Sequence, residues 1–149
     1  MFKHYFLYSI VGLVLAGFLF SRTKASESKD KSAQLAASVV GPDGSVTVGA
    51  VRLFREYEEN EVAADTRYKG KRLRVTGTVV SVERDADGSP VLYLLSGNPI
   101  FRTMATLDRA FIPDAAQLKK GDQIVVRCIC AGLEMRMPQL QKCMLLEPA

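Results

Sequence analysis

Histidine is almost missing from this chain. Of 149 residues only His4 is one, and it lies near the N-terminus. The remainder therefore cannot build a Ser-His-Asp or Cys-His nucleophile, a His-based zinc site or an imidazole general base. Tryptophan is absent, and cysteine is limited to Cys128, Cys130 and Cys143. Three thiols without histidine are too few for a zinc or iron–sulfur site. A strong net charge is also missing where it would count. The chain carries +4, but Lys3, Arg22 and Lys24 supply three of those charges, leaving 17 basic against 16 acidic residues from Ser26 onward. A nearly neutral domain has little electrostatic drive toward phosphate. No second carboxylate is fixed by spacing to complete an acid–base pair. We expect no enzymatic activity, no metal and no cofactor.

One uncharged run stands out, the 16 residues from Tyr5 to Phe20, behind a short basic start at Lys3 and His4. A full membrane crossing wants about 20 residues, so residues 1–25 read as a signal peptide or an N-terminal membrane anchor. Thr23-Lys24-Ala25 is a poor cleavage site, which keeps removal and anchoring both open. No cysteine follows the run, which argues against lipoprotein attachment. We expect an exported domain, periplasmic or held at the inner membrane facing outward. Arg22, Lys24, Lys29 and Lys31 outnumber the basic residues ahead of the run, which leaves a cytoplasm-facing anchor open. Membrane contact is expected only through residues 5–20.

Residues 26–46 are rich in serine, lysine and aspartate and read as a flexible polar linker. Pro42-Asp43-Gly44 is a turn signal. Thr47 is then positioned to cap a helix from about Val48 to Thr66. Ala50, Phe54, Tyr57, Glu61, Ala64 and Tyr68 recur at spacings of four and three, one stripe of a helix in which Glu61 is the odd member.

The period then changes to two. Leu73, Val75, Gly77 and Val79 alternate with Arg74, Thr76 and Thr78, and Val80 and Val82 continue on the other parity, which predicts a β-bulge beside a glycine. Asp85-Ala86-Asp87-Gly88 is a hairpin turn, and Val91–Leu95 an apolar strand. Ile100–Leu107 reads as a third strand and Pro113–Lys119 as a short helix. Gln123–Ala131 and Gln139–Leu146 read as two more strands. That order predicts a mainly β domain over residues 47–149: a five-stranded OB-fold barrel with an N-terminal helix and a short helix between strands three and four. If the last two strands pair, either Cys128 or Cys130 can reach Cys143, and all three remain candidates for small buried side chains.

The block Leu53-Phe54-Arg55-Glu56-Tyr57-Glu58-Glu59-Asn60-Glu61-Val62-Ala63-Ala64-Asp65, followed by Tyr68-Lys69-Gly70-Lys71 and Val75-Thr76-Gly77-Thr78-Val79, resembles the bacterial tRNA-anti-like OB-fold family. Leu118-Lys119-Lys120-Gly121-Asp122 and the spaced Cys130 and Cys143 are similar to that family's ending. The resemblance covers about residues 47–146. It implies an OB fold with an N-terminal helix, an export signal or lipoprotein leader, a Cys130–Cys143 disulfide and no established activity. Cys128 is extra to the pattern, and Thr103-Met104-Ala105-Thr106 departs from the usual third strand.

Three sets of residues are candidates for function. An OB barrel binds on the outer face of its second and third strands, where Phe101, Arg102, Arg109 and Phe111 are expected, while Tyr93 on the same surface is read as core or helix-covered. Aromatic and arginine side chains together stack bases or sugars, or anchor a protein. Asn60, Glu61 and Asp65 form a polar cluster that either meets a ligand or caps local backbone. Arg72 and Arg74 end the basic cluster Arg67, Lys69, Lys71, Arg72, Arg74, with Glu56, Glu58, Glu59, Glu61 and Asp65 just upstream. Two functions follow. The first is a non-catalytic envelope module that binds a protein or peptide. The alternative is a single-stranded nucleic-acid binder, which the basic cluster supports.

Overall fold

The computed structural model describes residues 40–148. The expectations for residues 1–25 and for the linker up to residue 39 lie outside the described residues. Strand β1 (Val46–Gly49) leads into helices α1 (Ala50–Glu59) and α2 (Glu61–Tyr68). Strands β2 (Arg72–Arg84), β3 (Pro90–Leu94) and β4 (Thr103–Leu107) follow. A 3-10 turn (Arg109–Phe111) and a one-turn helix α3 (Ile112–Ala115) precede β5 (Gln123–Glu134) and β6 (Met137–Pro148).

The strands close on themselves. β2 pairs antiparallel with β3 and β3 with β4; β4 runs parallel to β6, β6 antiparallel to β5, and β5 returns antiparallel to the first half of β2. This is the five-stranded OB order, which leaves no free barrel edge. β1 lies parallel to β2 from Val46↔Leu73 to Gly49↔Thr76, on the stretch of that edge that β3 does not reach. The expected bulge is present: Val79 pairs with Leu94 and Ser81 with Tyr93, leaving Val80 as the extra residue. Beyond it the inward parity passes from Leu73, Val75 and Val79 to Val82.

The N-terminal helix differs from the expectation in two ways. Val46-Thr47-Val48 is strand, and the helix starts only after Gly49, with no side-chain cap. Two β-branched valines and a threonine beside the edge of β2 favour an extended chain over a first helical turn. The helix is also broken at Asn60 (φ −162°, ψ 99°). Asn60 closes α1 by donating its N–H to Glu56 O and opens α2 by accepting from Ala63 N at 3.0 Å through Oδ1. The break shifts the helical phase. Ala50, Leu53, Phe54 and Tyr57 of α1 and Ala64 and Tyr68 of α2 are buried, while Glu61 is exposed.

Core packing fixes the helices on the barrel. Leu73, Val75, Leu92, Leu94, Ala105, Ile124, Val126 and Leu140 fill the interior, each buried Leu or Ile stabilising the fold by about 1.5–3 kcal/mol. Gly77 faces inward, and a Cβ there would stand 3.0 Å from Leu94 Cδ1 and 3.2 Å from Ala50 Cβ. The missing side chain is what lets the start of α1 sit against the barrel. Thr103, fully buried, donates its hydroxyl to Ala50 O at 3.2 Å at the same contact. The third strand begins later than expected, because Asn98 Oδ1 accepts from Ile100 N (2.9 Å) and Phe101 N (3.0 Å) and holds them in a turn. The helix expected over Pro113–Lys119 is instead the shorter α3 behind its 3-10 turn.

The disulfide joins Cys128 to Cys143, not Cys130 to Cys143, with Cα atoms 4.1 Å apart. A bulge in β6 explains the choice. Ile129 pairs with Gln141, but Arg127 pairs with Met144, so one extra residue is taken up between them at Lys142, whose φ is +51°. Regular alternation from the inward Leu140 would turn Cys143 outward; the extra residue turns it in, opposite Cys128. Cys130 pairs with Leu140, and its free, buried thiol lies 3.4 Å from the Tyr57 hydroxyl.

Candidate binding faces

The helix pair is clamped by two carboxylates. Glu56 accepts from Arg52 Nε (2.7 Å), Arg67 NH1 (2.6 Å) and the Tyr68 hydroxyl (2.7 Å), joining α1 to α2. Burial alone would raise its pKa, but Tyr68, Arg52 and Arg67 outweigh it and hold the carboxyl below its ordinary value. Asp65 accepts from the Tyr57 hydroxyl and from Lys69 Nζ, both at 3.0 Å. Burial, then the Cys130 thiol and Asp65, push the Tyr57 phenol up. Gly132 of β5 passes beneath: a Cβ there would meet Lys69 Nζ at 3.1 Å and Asp65 Oδ1 at 3.2 Å. Asn60 and Asp65 are thus tied into the helix pair, Asn60 as a cap and Asp65 as a clamp, while Glu61 stands in solvent.

Because Leu92, Leu94, Ala105 and Leu107 point inward, the other face of β3 and β4 carries Tyr93, Met104, Thr106 and Val91, the last of them buried. Register extends it sideways to Ser81 and Glu83 of β2 and to Gln139 of β6. Tyr93 is half-buried between Ser81 and Met104, and Gln139 Nε2 reaches Met104 Sδ at 3.4 Å. No lysine or arginine stands among these seven residues.

The flanks are where sequence placed the aromatic and arginine candidates. Phe101 is half-buried beneath the Arg136 guanidinium, 4.9 Å from its ring centroid. Arg136 stands with Met135 at the tip of the β5–β6 hairpin, at φ +63° and +49°. A two-residue tip with both φ positive ordinarily takes Asn or Gly, so two long side chains are presented there at a conformational cost. Arg102 donates to the carbonyls of Asn98, Phe101 and Pro99, and Arg109 to that of Asp87 in the β2–β3 turn. Arg102 is half-buried and Arg109 exposed. Phe111 is not on this face: it packs against the core and lines a cavity of about 370 Å³ with Leu118 and Leu145.

The basic cluster divides. Arg67 and Lys69 are paired with Glu56 and Asp65, and Lys71 donates to Thr66 O. Arg72 and Arg74 point outward from β2 on a different stretch of the barrel wall, where Arg74 stands directly opposite Arg127 of β5. Arg127 and Lys142 belong to this wall and were missed in the sequence, since they lie more than fifty residues downstream and only strand register brings them in. Among the described residues no group of three His, Cys, Asp or Glu side chains could hold a metal ion, and no helix is long and apolar enough to cross a membrane.

The family described as tRNA_anti-like matches residues 1–144. The fold is similar to a lipoprotein of Klebsiella pneumoniae subsp. pneumoniae MGH 78578 to which nucleic-acid binding is ascribed, at 19% identity and a TM-score of 0.56, over 72% of this chain and 98% of that one. OBody AM3L09, solved bound to hen egg-white lysozyme, matches at 14% identity and a TM-score of 0.41, over 56% of this chain and 88% of its own. A chain from Leishmania major Friedlin ascribed to aspartyl-tRNA synthetase matches at 10% identity and a TM-score of 0.45, over 74% of this chain and 22% of its own. No curated protein matches the sequence.

Proposed function

The chain belongs to the tRNA_anti-like family, and from that premise we propose that it is a non-catalytic OB-fold binding module of the cell envelope that takes a protein or peptide across the outer face of β3 and β4. The observation that carries this reading is the chemistry of that face. Tyr93 and Met104 offer adaptable apolar contact, Ser81, Thr106 and Gln139 offer hydrogen bonds, and Glu83 is the one charge among them. The neighbouring Arg102 and Arg109 are held by carbonyl oxygens. A strand face whose own seven residues hold no cation, with arginines only at its flanks, is less suited to tracking a phosphodiester backbone than to taking a polypeptide. Export rests on the apolar run Tyr5–Phe20 and the Cys128–Cys143 bridge, which suits an oxidising compartment.

A second reading, single-stranded nucleic acid, is favoured by a different observation: Arg72, Arg74, Arg127 and Lys142 share one wall. The nucleic-acid binding ascribed to the Klebsiella lipoprotein agrees with it. Titration of the full chain with a fluorescent oligonucleotide at low salt separates the two. The first reading expects no saturable binding that Tyr93→Ala or Met104→Ala changes. Binding that falls steeply with salt and is lost in Arg72→Gln and Arg74→Gln would support the second reading on the cationic wall, and binding lost in Tyr93→Ala or Met104→Ala would assign the β3–β4 face to nucleic acid.

A further inference from the structure

On the wall formed by β2, β5 and β6, a hollow of about 280 Å³ is lined by Arg72, Arg127, Lys142, Ile129, Met144 and the bridged Cys128. Three features set it apart from an ordinary solvated β surface. Arg74, beside the hollow, pairs directly with Arg127 across the antiparallel ladder, a like-charge juxtaposition that destabilises a sheet. Lys142 is held at φ +51°, a conformation that lysine rarely adopts, by the same bulge that seats Cys143. Ile129 and Met144 are each 39% exposed in the same hollow, so it offers apolar contact next to the cations. Among the described residues the four cations form one ion pair, the 3.7 Å contact of Arg127 with Asp43. Asp43 is itself bonded by the Ser45 hydroxyl and N–H, which hold its carboxyl below the ordinary range.

We propose that this hollow binds a phosphate group carried on a small organic body, a site separate from the β3–β4 face and independent of the partner proposed there. Arg72, Arg127 and Lys142 line the hollow and supply its donors, and an anion among them adds to Asp43 in offsetting the repulsion between Arg74 and Arg127. Ile129 and Met144 cover the apolar part of the ligand. Such a phosphate comes either from a free phosphorylated metabolite or from an anionic lipid headgroup, and the chemistry recognised is the same.

The test is NMR of the full chain, first in neutral detergent micelles titrated with inorganic phosphate and with glycerol 3-phosphate at matched ionic strength. A parallel arm uses nanodiscs of phosphatidylcholine with or without phosphatidylglycerol. The expected result is saturable movement of the Arg72, Arg127 and Lys142 signals. Saturation by the soluble phosphates identifies a free ligand; saturation only in phosphatidylglycerol discs identifies the headgroup. Lys142→Asn removes the charge while asparagine tolerates the left-handed backbone, so the bulge and bridge survive. It should weaken binding about tenfold, as should Arg72→Gln. Signals that do not saturate in any arm, or an affinity unchanged in both variants, would overturn the proposal. So would saturation by a short oligonucleotide titrated in the same micelles when neither the phosphates nor the discs saturate, which would give the wall to the nucleic-acid reading.

Discussion

The Tyr68 hydroxyl donates to Glu56 Oε2 at 2.7 Å across the break at Asn60, so the last residue of α2 is fastened to the middle of α1. Arg67 and Arg52 complete the shell around the carboxylate. Glu56→Gln removes the charge that three donors share, and a loss of about 1–3 kcal/mol is expected in urea unfolding at neutral pH. The sign with pH follows from the lowered carboxyl pKa. Its stabilisation is complete above the ordinary carboxylate range and is lost as pH falls through the folded value. Wild type should therefore lose stability toward acid more steeply than the variant. Parallel acid limbs for the two proteins would contradict the role given to Glu56.

Asn60 and Glu61 should behave oppositely although they are neighbours. Asn60→Ala deletes the cap that starts α2 and should cost about 1 kcal/mol. Glu61→Gln, on an exposed side chain, should stay within about 0.5 kcal/mol of wild type. Paired thermal melts decide this. Equal losses would mean that Glu61 faces structure rather than solvent.

Gly77→Ala places a methyl group 3.0 Å from Leu94 Cδ1 and 3.2 Å from Ala50 Cβ, at the joint between α1 and the barrel. An overpacking cost of about 1–3 kcal/mol is expected. Amide exchange should rise first in α1, which depends on that contact. Unchanged protection in α1 would show that the joint can give.

How much of this was legible beforehand depends on whether the signal was local. The alternation from Leu73 to Val79, its parity change and the helical stripe from Ala50 to Tyr57 are properties of neighbouring residues, and the structure shows each of them. The phase of the stripe beyond Asn60 was not legible, because one residue in an extended conformation rotates everything after it; Glu61 left the stripe for that reason. The choice of Cys128 over Cys130 turned on a single extra residue at Lys142, which no alternation pattern announces. The Thr47 cap lost to strand pairing with β2, a tertiary contact. Phe111, placed on the surface by its loop position, is half-buried: the turn before α3 packs one side of it against the core while it also lines a hollow with Leu118 and Leu145.

The bridge makes its own prediction. Alkylation of the unreduced, unfolded protein should label Cys130 alone, and Cys143→Ser should destabilise the oxidised protein by about 3 kcal/mol. Cys130→Ser should keep the bridge, read as intact mass before and after reduction. A label on Cys128 in wild type would assign the bridge to Cys130.

Site-specific photo-crosslinking in the native host addresses the proposed binding face most directly. A photoreactive residue at Gln139, beside Met104 on the β3–β4 face, is compared with one at Gln123, at the start of β5. A discrete protein adduct at position 139 that is absent at 123 and disappears with Tyr93→Ala is the predicted result. No protein adduct at 139, or adducts at both positions that ignore Tyr93→Ala, would contradict the assignment of this face to a protein partner.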